Sequence, residues 1–577
     1  MSSSTIRRLT SRSLPLLTAS ALSFGLYTVH TQYSPILLDS ANDVLSSSTT
    51  LKKQKAVTAA PPPFSTYGWG SNKNLILIPD GQVANVKKPL PLPQLGATPL
   101  RDLVLGEEYG ACVDAGGDLW MWGKGYDPSG EVGKSLKGKS LKTLAPGSAK
   151  LFALSKNGQL YVIPSSKSLQ SDRQDKLNQS WWSYLFSSDS GSDFIELKAD
   201  GEGLKWGEKW VDLSCGKNHL LAVTNKGRTF SLALNEKANL YRQLGTKQEF
   251  ELPLIPQTLF GEIFNSDKDI RFQDKLIQIP SLKNIKVVQV SASERTSFVR
   301  TDNGHILGFG ANENGQIGLG SSSSVDIIPV PVEVVLAKNY PSGTKLECID
   351  IKSGGLTTFF TIKRFFPGRQ GSFIDVLGCG SGISGALGTG MYTSATGMPV
   401  RVKTISGLQE YSEKAKTFLP IGIHNLSISQ SSSNTHVYAT LDTVTLADAK
   451  GVREGIYGKD VMAWGANVDY QIGNGKRSST AIPQHLPPLN KKITAIDALS
   501  ISPNSSSSSL ISSISGKEEE SLSSGTQSPM PHSRLQLHVR KANAYDLNGK
   551  LIKRKVKCEE TMYAGYNASA MYNKIIE

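Results

Sequence analysis

Cysteine, long apolar runs and recognisable catalytic spacings are all scarce in this chain of 577 residues. Its five cysteines are scattered and form no Cys-x-x-Cys pair, which removes a disulfide-stapled scaffold and a structural zinc module from consideration. The eight histidines are dispersed. No Ser-His-Asp order, paired-carboxylate site or metal-ligand spacing emerges, so the sequence names no catalytic, cofactor-binding or metal residue. The most apolar stretch, Leu14 to Val29, falls short of the roughly 20 residues that cross a bilayer. Acidic residues are missing altogether from the first 38 positions.

What the chain has in quantity is repetition. The clearest copy runs from Val287 to Gly320: a strand, a small-residue turn, a second strand, the hairpin Asp302-Asn303-Gly304, a third strand ending in Gly308-Phe309-Gly310, and the corner Gly315-Gln316-Ile317-Gly318. Leu103 to Gly123 is another, with Gly130-Glu131-Val132-Gly133 as its corner. Val211 to Leu234 follows with Gln243-Leu244-Gly245, Cys348 to Gly388 with Gly385-Ala386-Leu387-Gly388, and Leu426 to Gly475 with Ala463-Trp464-Gly465 and Gln471-Ile472-Gly473. Gly147 to Ile163 is a worn copy that lacks Trp-Gly and the corner. Period-two alternation punctuated by Gly and Asn-Gly predicts a small antiparallel sheet of about four strands per copy. One such sheet cannot bury both faces, so the units must stack radially.

The ends complement each other. Tyr67 to Asn72 reads as an orphan second half, and Val556 to Gly565 as an orphan first half, with Leu535 to Leu551 as a competing choice. Joined, the halves make one more unit sewn from both ends of the chain, which leaves no free sheet edge. In series, these Cys-Gly, Asn-Gly, Trp-Gly-x-Asn and Gly-Gln-Leu-Gly slots resemble the regulator-of-chromosome-condensation repeat family over roughly residues 64–577. The resemblance implies an all-β fold, a seven-bladed β-propeller closed by N- and C-terminal strands. Hydrophilic surplus falls near residues 164–205, 246–280, 441–458 and 485–533, and the Ser-rich stretch 502–528 is expected to be disordered.

The net charge of +14 is unevenly spread. Residues 1–60 carry six basic and two acidic residues and residues 534–577 carry nine and four, so the ends supply +9 and the body about +5. A nearly balanced body argues against nucleic acid as a partner through a broad phosphate-binding face. Lys553-Arg554-Lys555-Lys557 is the one local basic patch and reads first as a solvated strand end. Arg7, Arg8 and Arg12 amid Ser and Thr give residues 1–38 the composition of a mitochondrial targeting segment, merged with or followed by a membrane anchor; a secretory signal is the competing reading. Residues 39–63 form a linker that ends in Pro61-Pro62-Pro63. Lys52, Lys53 and Lys55 offset the arginines, so charge does not orient the segment in a membrane.

Several phrases imitate chemistry. Gly380-Ser381-Gly382-Ile383-Ser384-Gly385 matches a dinucleotide fingerprint but occupies a repeat slot, where its glycines serve turns. Gly133-Lys134-Ser135 resembles the end of a phosphate loop, yet Pro128 stands where the first glycine belongs. His219 and His305 fall at repeat positions, and a histidine in the His219 slot is expected to hydrogen-bond its blade. Trp181-Trp182 lies in a polar insertion, as a rim cap or a partner anchor.

A propeller without a catalytic constellation is a rigid platform whose loops carry recognition. With its targeting segment the chain resembles fungal mitochondrial members of the family. That resemblance implies a non-enzymatic inner-membrane protein required for assembly of respiratory complex III, with complex III subunits or assembly factors as partners and no cofactor. Two alternatives stay open: a guanine nucleotide exchange factor for a mitochondrial GTPase, acting through a β-wedge, and a mitochondrial ribosome or RNA contact through the basic patch.

Overall fold

The period-two alternation folds into short antiparallel strands. The computed structural model describes residues 64–79, 83–170, 194–247, 267–268, 270, 272–320, 325–365, 371–412, 416–443, 458–489 and 534–576. All of them belong to one compact unit, Ala59–Glu577. β1 (Tyr67–Ser71) and β2 (Asn85–Pro91) come first. β3 (Asp102–Leu105), β4 (Gly110–Val113), β5 (Leu119–Trp122) and β6 (Gly133–Leu136) form a four-stranded meander. The next two are β7 (Leu141–Pro146), β8 (Lys150–Ser155), β9 (Leu160–Pro164), β10 (Ile195–Ala199) and β11 (Trp210–Cys215), β12 (His219–Thr224), β13 (Thr229–Ala233), β14 (Lys275–Gln278). A parallel pairing of β10 with β14 merges these two into one eight-stranded sheet.

Two further meanders follow, β15 (Val287–Ala292), β16 (Thr296–Thr301), β17 (Ile306–Ala311), β18 (Ile327–Glu333) and β19 (Lys345–Gly354), β20 (Thr357–Phe365), β21 (Phe373–Gly380), β22 (Thr396–Arg401). A small separate hairpin, β23 (Gln409–Ser412) and β24 (Thr417–Pro420), precedes β25 (Gly422–Ile428), β26 (His436–Asp442), β27 (Lys459–Gly465) and β28 (Thr480–His485). β29 (Gln536–Leu537) adds to β27. The chain ends in β30 (Val539–Tyr545), β31 (Leu551–Ala564) and β32 (Ala568–Ile575).

The two ends meet as their sequences anticipate. β1 pairs antiparallel with β32 from Tyr67↔Met571 to Gly70↔Ala568, and the sheet runs β2-β1-β32-β31-β30. Val556 to Ala564 therefore supplies the missing inner strand. The competing segment, Leu535 to Leu551, contributes β30 on the other side of β31, where it pairs with Leu551 to Glu559 as an added hairpin. The tracts near 164–205 and 246–280 are not wholly insertions, because each ends in the outer strand of a meander, β10 and β14.

Consecutive side chains of a strand face opposite ways, and here each way leads to a neighbouring sheet. Phe359 packs with Leu426, Val437 and Trp464 of β25 to β27. Its neighbour Phe360 packs with Phe298 and Ile306 of β16 and β17. Similar clusters join β4 and β5 to β8, β8 and β9 to β12 and β13, and β12 to β15 and β16. The last joins Trp69 and Met571 to Tyr438 and Ala463 on one side and to Leu103 and Trp122 on the other. The core is thus a succession of layers between sheets, an all-β, propeller-like arrangement.

The second glycine of the Trp-Gly slot has a steric cause. Gly310 and Gly380 each adopt φ +103, and a Cβ there would sit 2.5 Å from the Arg295 carbonyl oxygen or 2.2 Å from that of Leu356. Only glycine tolerates both the backbone conformation and the contact. The same residues mark register shifts between the third and fourth strands, which turn the chain into the corner.

Candidate functional site

The innermost strands end at a common opening. β3, β7, β11 and β31 each pass into the same tight turn, with Gly106, Gly147, Gly216 and Gly565 donating N–H groups to the carbonyls of Tyr109, Lys150, His219 and Ala568 at 2.8–2.9 Å. Because the turn recurs, the residues just after these glycines, Glu107, Ser148, Lys217 and Tyr566, come to one rim. Glu294 after β15 and Gln430 after β25 complete it, around a small pocket open to solvent. Neighbouring turns are tied through the backbone: Tyr566 N–H donates to Leu105 O at 3.0 Å, and Glu294 N–H to Gly355 O at 3.3 Å.

The rim is polar and carries more negative than positive charge. Lys217 Nζ lies 3.5 Å from Glu294 Oε1, while Glu294 Oε2 is buried without a hydrogen-bond partner. The Tyr566 hydroxyl meets the side chains of Ser431 and Glu107. Burial, with the nearby charges of Glu107 and Glu294, raises its pKa above the ordinary phenol value. Two carboxylates, one ammonium, a phenol and an amide suit a partner group that donates hydrogen bonds. They provide no nucleophile with an adjacent base. Among the described residues no cluster of three or more His, Cys, Asp or Glu side chains is placed to hold a metal ion.

Below the rim, the repeat slots form a buried polar framework. Trp464 donates its indole N–H to Ala386 O at 2.7 Å, Trp69 to Gln471 O at 2.8 Å and Trp122 to Ile76 O at 2.7 Å, each reaching the corner of the preceding meander. In the copy that reads Gly-Cys-Gly, the Cys379 thiol takes the same role and donates to Gln316 O at 3.3 Å. Asparagines brace the corners: Asn467 Oδ1 accepts from Ile472 N–H at 2.9 Å while its amide donates to Lys476 O at 2.7 Å, and Asn312 accepts from Ile317 N–H at 3.1 Å.

His219 is a member of this framework. Its Nε2 lies 2.8 Å from Ser297 Oγ across to β16, and burial pushes its pKa down to about 3. His436, absent from the sequence reading, holds the same position in β26, 2.9 Å from Ser569 Oγ, and burial lowers it to about 4. Its signal was available, for Asn434-Thr435-His436 echoes Lys217-Asn218-His219. His305 is instead an exposed partner of Glu333 at 2.6 Å. Gly380 closes β21 and Gly385 turns the corner, with turns and no helix after them. Lys134 lies in β6, pairs with Asp118 at 2.9 Å and stacks over Trp120. Gly133-Lys134-Ser135 is therefore strand, just past its corner. Lys553, Arg554, Lys555 and Lys557 are exposed on β31. Trp181-Trp182, the Leu14 to Val29 stretch and residues 502–528 lie outside the described residues. Among the described residues no helix is long and apolar enough to cross a membrane.

Models of the regulator of chromosome condensation (RCC1) repeat match residues 287–316 and 303–360. Residues 287–360 therefore carry repeats of this type. Protein FMP25, mitochondrial, of Saccharomyces cerevisiae is 24% identical to this repeat protein over 421 residues, covering 70% of this chain and 64% of that one. The ultraviolet-B receptor UVR8 of Arabidopsis thaliana is 22% identical over 340 residues, covering 56% and 62%. The chain thus spans less than two thirds of either relative. Among solved structures, Prp20p from Saccharomyces cerevisiae, studied for its binding to Gsp1p and histones, matches with a TM-score of 0.50 at 14% identity, covering 89% of this chain and 92% of that one. At that identity the likeness is one of fold.

Proposed function

We propose that this repeat protein is a non-catalytic, seven-bladed propeller scaffold of mitochondria that acts at the inner membrane in the assembly of respiratory complex III. The observation that carries the mitochondrial reading is the similarity to FMP25 along 70% of the chain. The acid-free, arginine-bearing segment 1–38 agrees with it as a targeting segment and anchor, with 39–63 as linker and 64–577 as the propeller. A membrane-tethered platform raises the local concentration of a subunit awaiting assembly, and the hydrogen-bond-accepting rim offers it a seat. Affinity capture of the tagged full chain from gently solubilised mitochondria tests this. Recovery of complex III subunits or their assembly factors supports it; recovery of ribosomal proteins in their place overturns it.

A second reading, nucleotide exchange on a mitochondrial GTPase, is favoured by the β23–β24 hairpin. It stands apart from the four-stranded sheets, and Tyr411 and Phe418, both exposed, meet edge to face with ring centroids 5.4 Å apart. A GTPase in the captured material, whose nucleotide release the purified chain accelerates, selects this reading over the scaffold.

A further inference from the structure

β31 is twice the length its meander needs. β32 covers Cys558 to Ala564 and Ile576 N–H reaches Lys557 O, so Leu551 to Val556 continues past the end of β32 and pairs with β30 alone. The far end of this hairpin is the end of β31 opposite the rim, which adjoins Ala564. Residues 539–557 hold seven basic residues and one acid, a net +6 in a chain of net +14. A hairpin that only capped the sheet would not need that density.

The ladder makes the charge costly in isolation. Lys541 stands directly opposite Lys557, and like charges in that relation destabilise a strand pair. Neither makes an ion pair among the described residues. Lys553, opposite Ala544 in the ladder, is turned toward the packed sheets: burial, then the charges of Arg101, Lys553 and Lys142, hold the Lys156 ammonium after β8 below its ordinary pKa. The surface is built for a negatively charged partner that relieves this repulsion.

The apolar side chains among the cations indicate which. Val539 (45% exposed), Leu551 (37%) and Ile552 (41%) are aliphatic, and Tyr545 (36%), opposite Leu551 in the ladder, is aromatic with a polar tip. The other face of the hairpin, Ala542, Ala544 and Val556, is buried against Ala115, and Ile552 reaches the adjoining Gly116 turn, so the face left free carries Lys541 and Lys557, Tyr545 and Leu551. A single-stranded nucleic acid site stacks bases on several aromatic rings; this surface has one. Aliphatic side chains interleaved with lysine and arginine are what an element lying in a bilayer interface presents, the apolar groups entering the headgroup boundary while the cations meet phosphates.

We propose that the β30–β31 hairpin is a peripheral membrane contact that binds the surface of a bilayer containing anionic phospholipid. It acts independently of any anchor in residues 1–38 and presents Lys541, Lys557 and Leu551 to the lipid.

The test is co-flotation of the full chain with vesicles of phosphatidylcholine alone and of phosphatidylcholine containing phosphatidylserine. The ratio of the two affinities isolates the hairpin from any apolar segment that binds both. The wild type is expected to prefer the anionic vesicles and to lose that preference as salt rises. Each of Lys541→Gln and Lys557→Gln should lower the preference about fivefold, and Leu551→Ser should weaken binding to anionic vesicles with an unchanged melting profile. All three side chains are exposed, so the variants fold, which thermal melts verify. Equal binding of wild type and double-lysine variant to anionic vesicles overturns the proposal. So does loss of binding to a single-stranded RNA oligonucleotide in the lysine variants while vesicle binding persists.

Discussion

The imidazole Nε2 of His436 lies 2.9 Å from the hydroxyl of Ser569, linking β26 to the closing strand β32. Ser569 donates its own proton to Gln471 O at 2.8 Å, so its oxygen accepts and the imidazole donates. His219, Ser297 and Gln243 O repeat the trio at 2.8 and 2.7 Å. In both cases the serine fixes the proton on Nε2. For His219 this agrees with a buried Nδ1 that has no partner.

These imidazoles make folding sensitive to mild acid. Their folded pKa values, about 3 and about 4, lie below the ordinary value because burial disfavours the cation. The unfolded chain therefore binds more protons as pH falls below about 6.5, and stability present above that pH is lost on the way down. At about pH 5 each histidine costs about 2 kcal/mol. Denaturant midpoints of the wild type should fall more steeply from about pH 7 to about pH 5 than those of a His219→Gln, His436→Gln double variant. Equal slopes remove the two rings from the account.

The corner bonds predict a graded series. Trp464→Phe keeps most of the buried surface but leaves the Ala386 carbonyl unpaired, and should cost about 1–2 kcal/mol. Asn467→Ala removes both the bond from Ile472 N–H and the donors to the 474–478 turn, and should cost about 2–3 kcal/mol. Chemical denaturation of purified variants measures both. A neutral Asn467→Ala would mean that the corner holds its shape without the asparagine.

All five cysteines are free and buried. Burial pushes their thiols up, Cys348 to about 12 and Cys558 to about 11, so little reactive thiolate exists near neutral pH. A thiol-labelling reagent should leave the native protein unmodified over minutes and modify it rapidly in denaturant. Fast labelling of Cys558 alone would identify the β30–β31 hairpin as the element that opens first.

The sequence announces the framework better than the surface. Trp69, Trp464 and the glycine that follows each are legible because one steric and one hydrogen-bonding demand recurs in the copies that keep Trp-Gly. Cys379 is legible as an occupant of that slot but not as its donor, since the residue type changed while the donor role to Gln316 O survived. β10 and β14 escaped because long tracts separate them from the strands they complete, and a strand of four or five residues carries little periodicity. The rim escaped for the opposite reason. Its positions share a place after the turn, yet Glu107, Ser148, Lys217, Glu294 and Tyr566 share no chemistry, so no pattern pointed to them.

That variety is what makes the rim testable apart from the fold. Glu107 and Glu294 are not packed into a core cluster, and their neighbours across the opening are Tyr566 and Lys217. Glu107→Gln and Glu294→Gln preserve shape and some hydrogen bonding while removing charge, so stability should change by less than about 1 kcal/mol. Partner binding should respond differently. A hydrogen-bond-donating, basic partner group loses its charge complement, and capture should fall about fivefold per carboxylate, more at low salt than at high. Tyr566→Phe should cost about 1 kcal/mol of stability through the lost bond to Glu107 and lower capture further. If all three variants capture the same proteins in the same amounts as the wild type, the rim is a structural opening and the partner seat lies elsewhere on the ring.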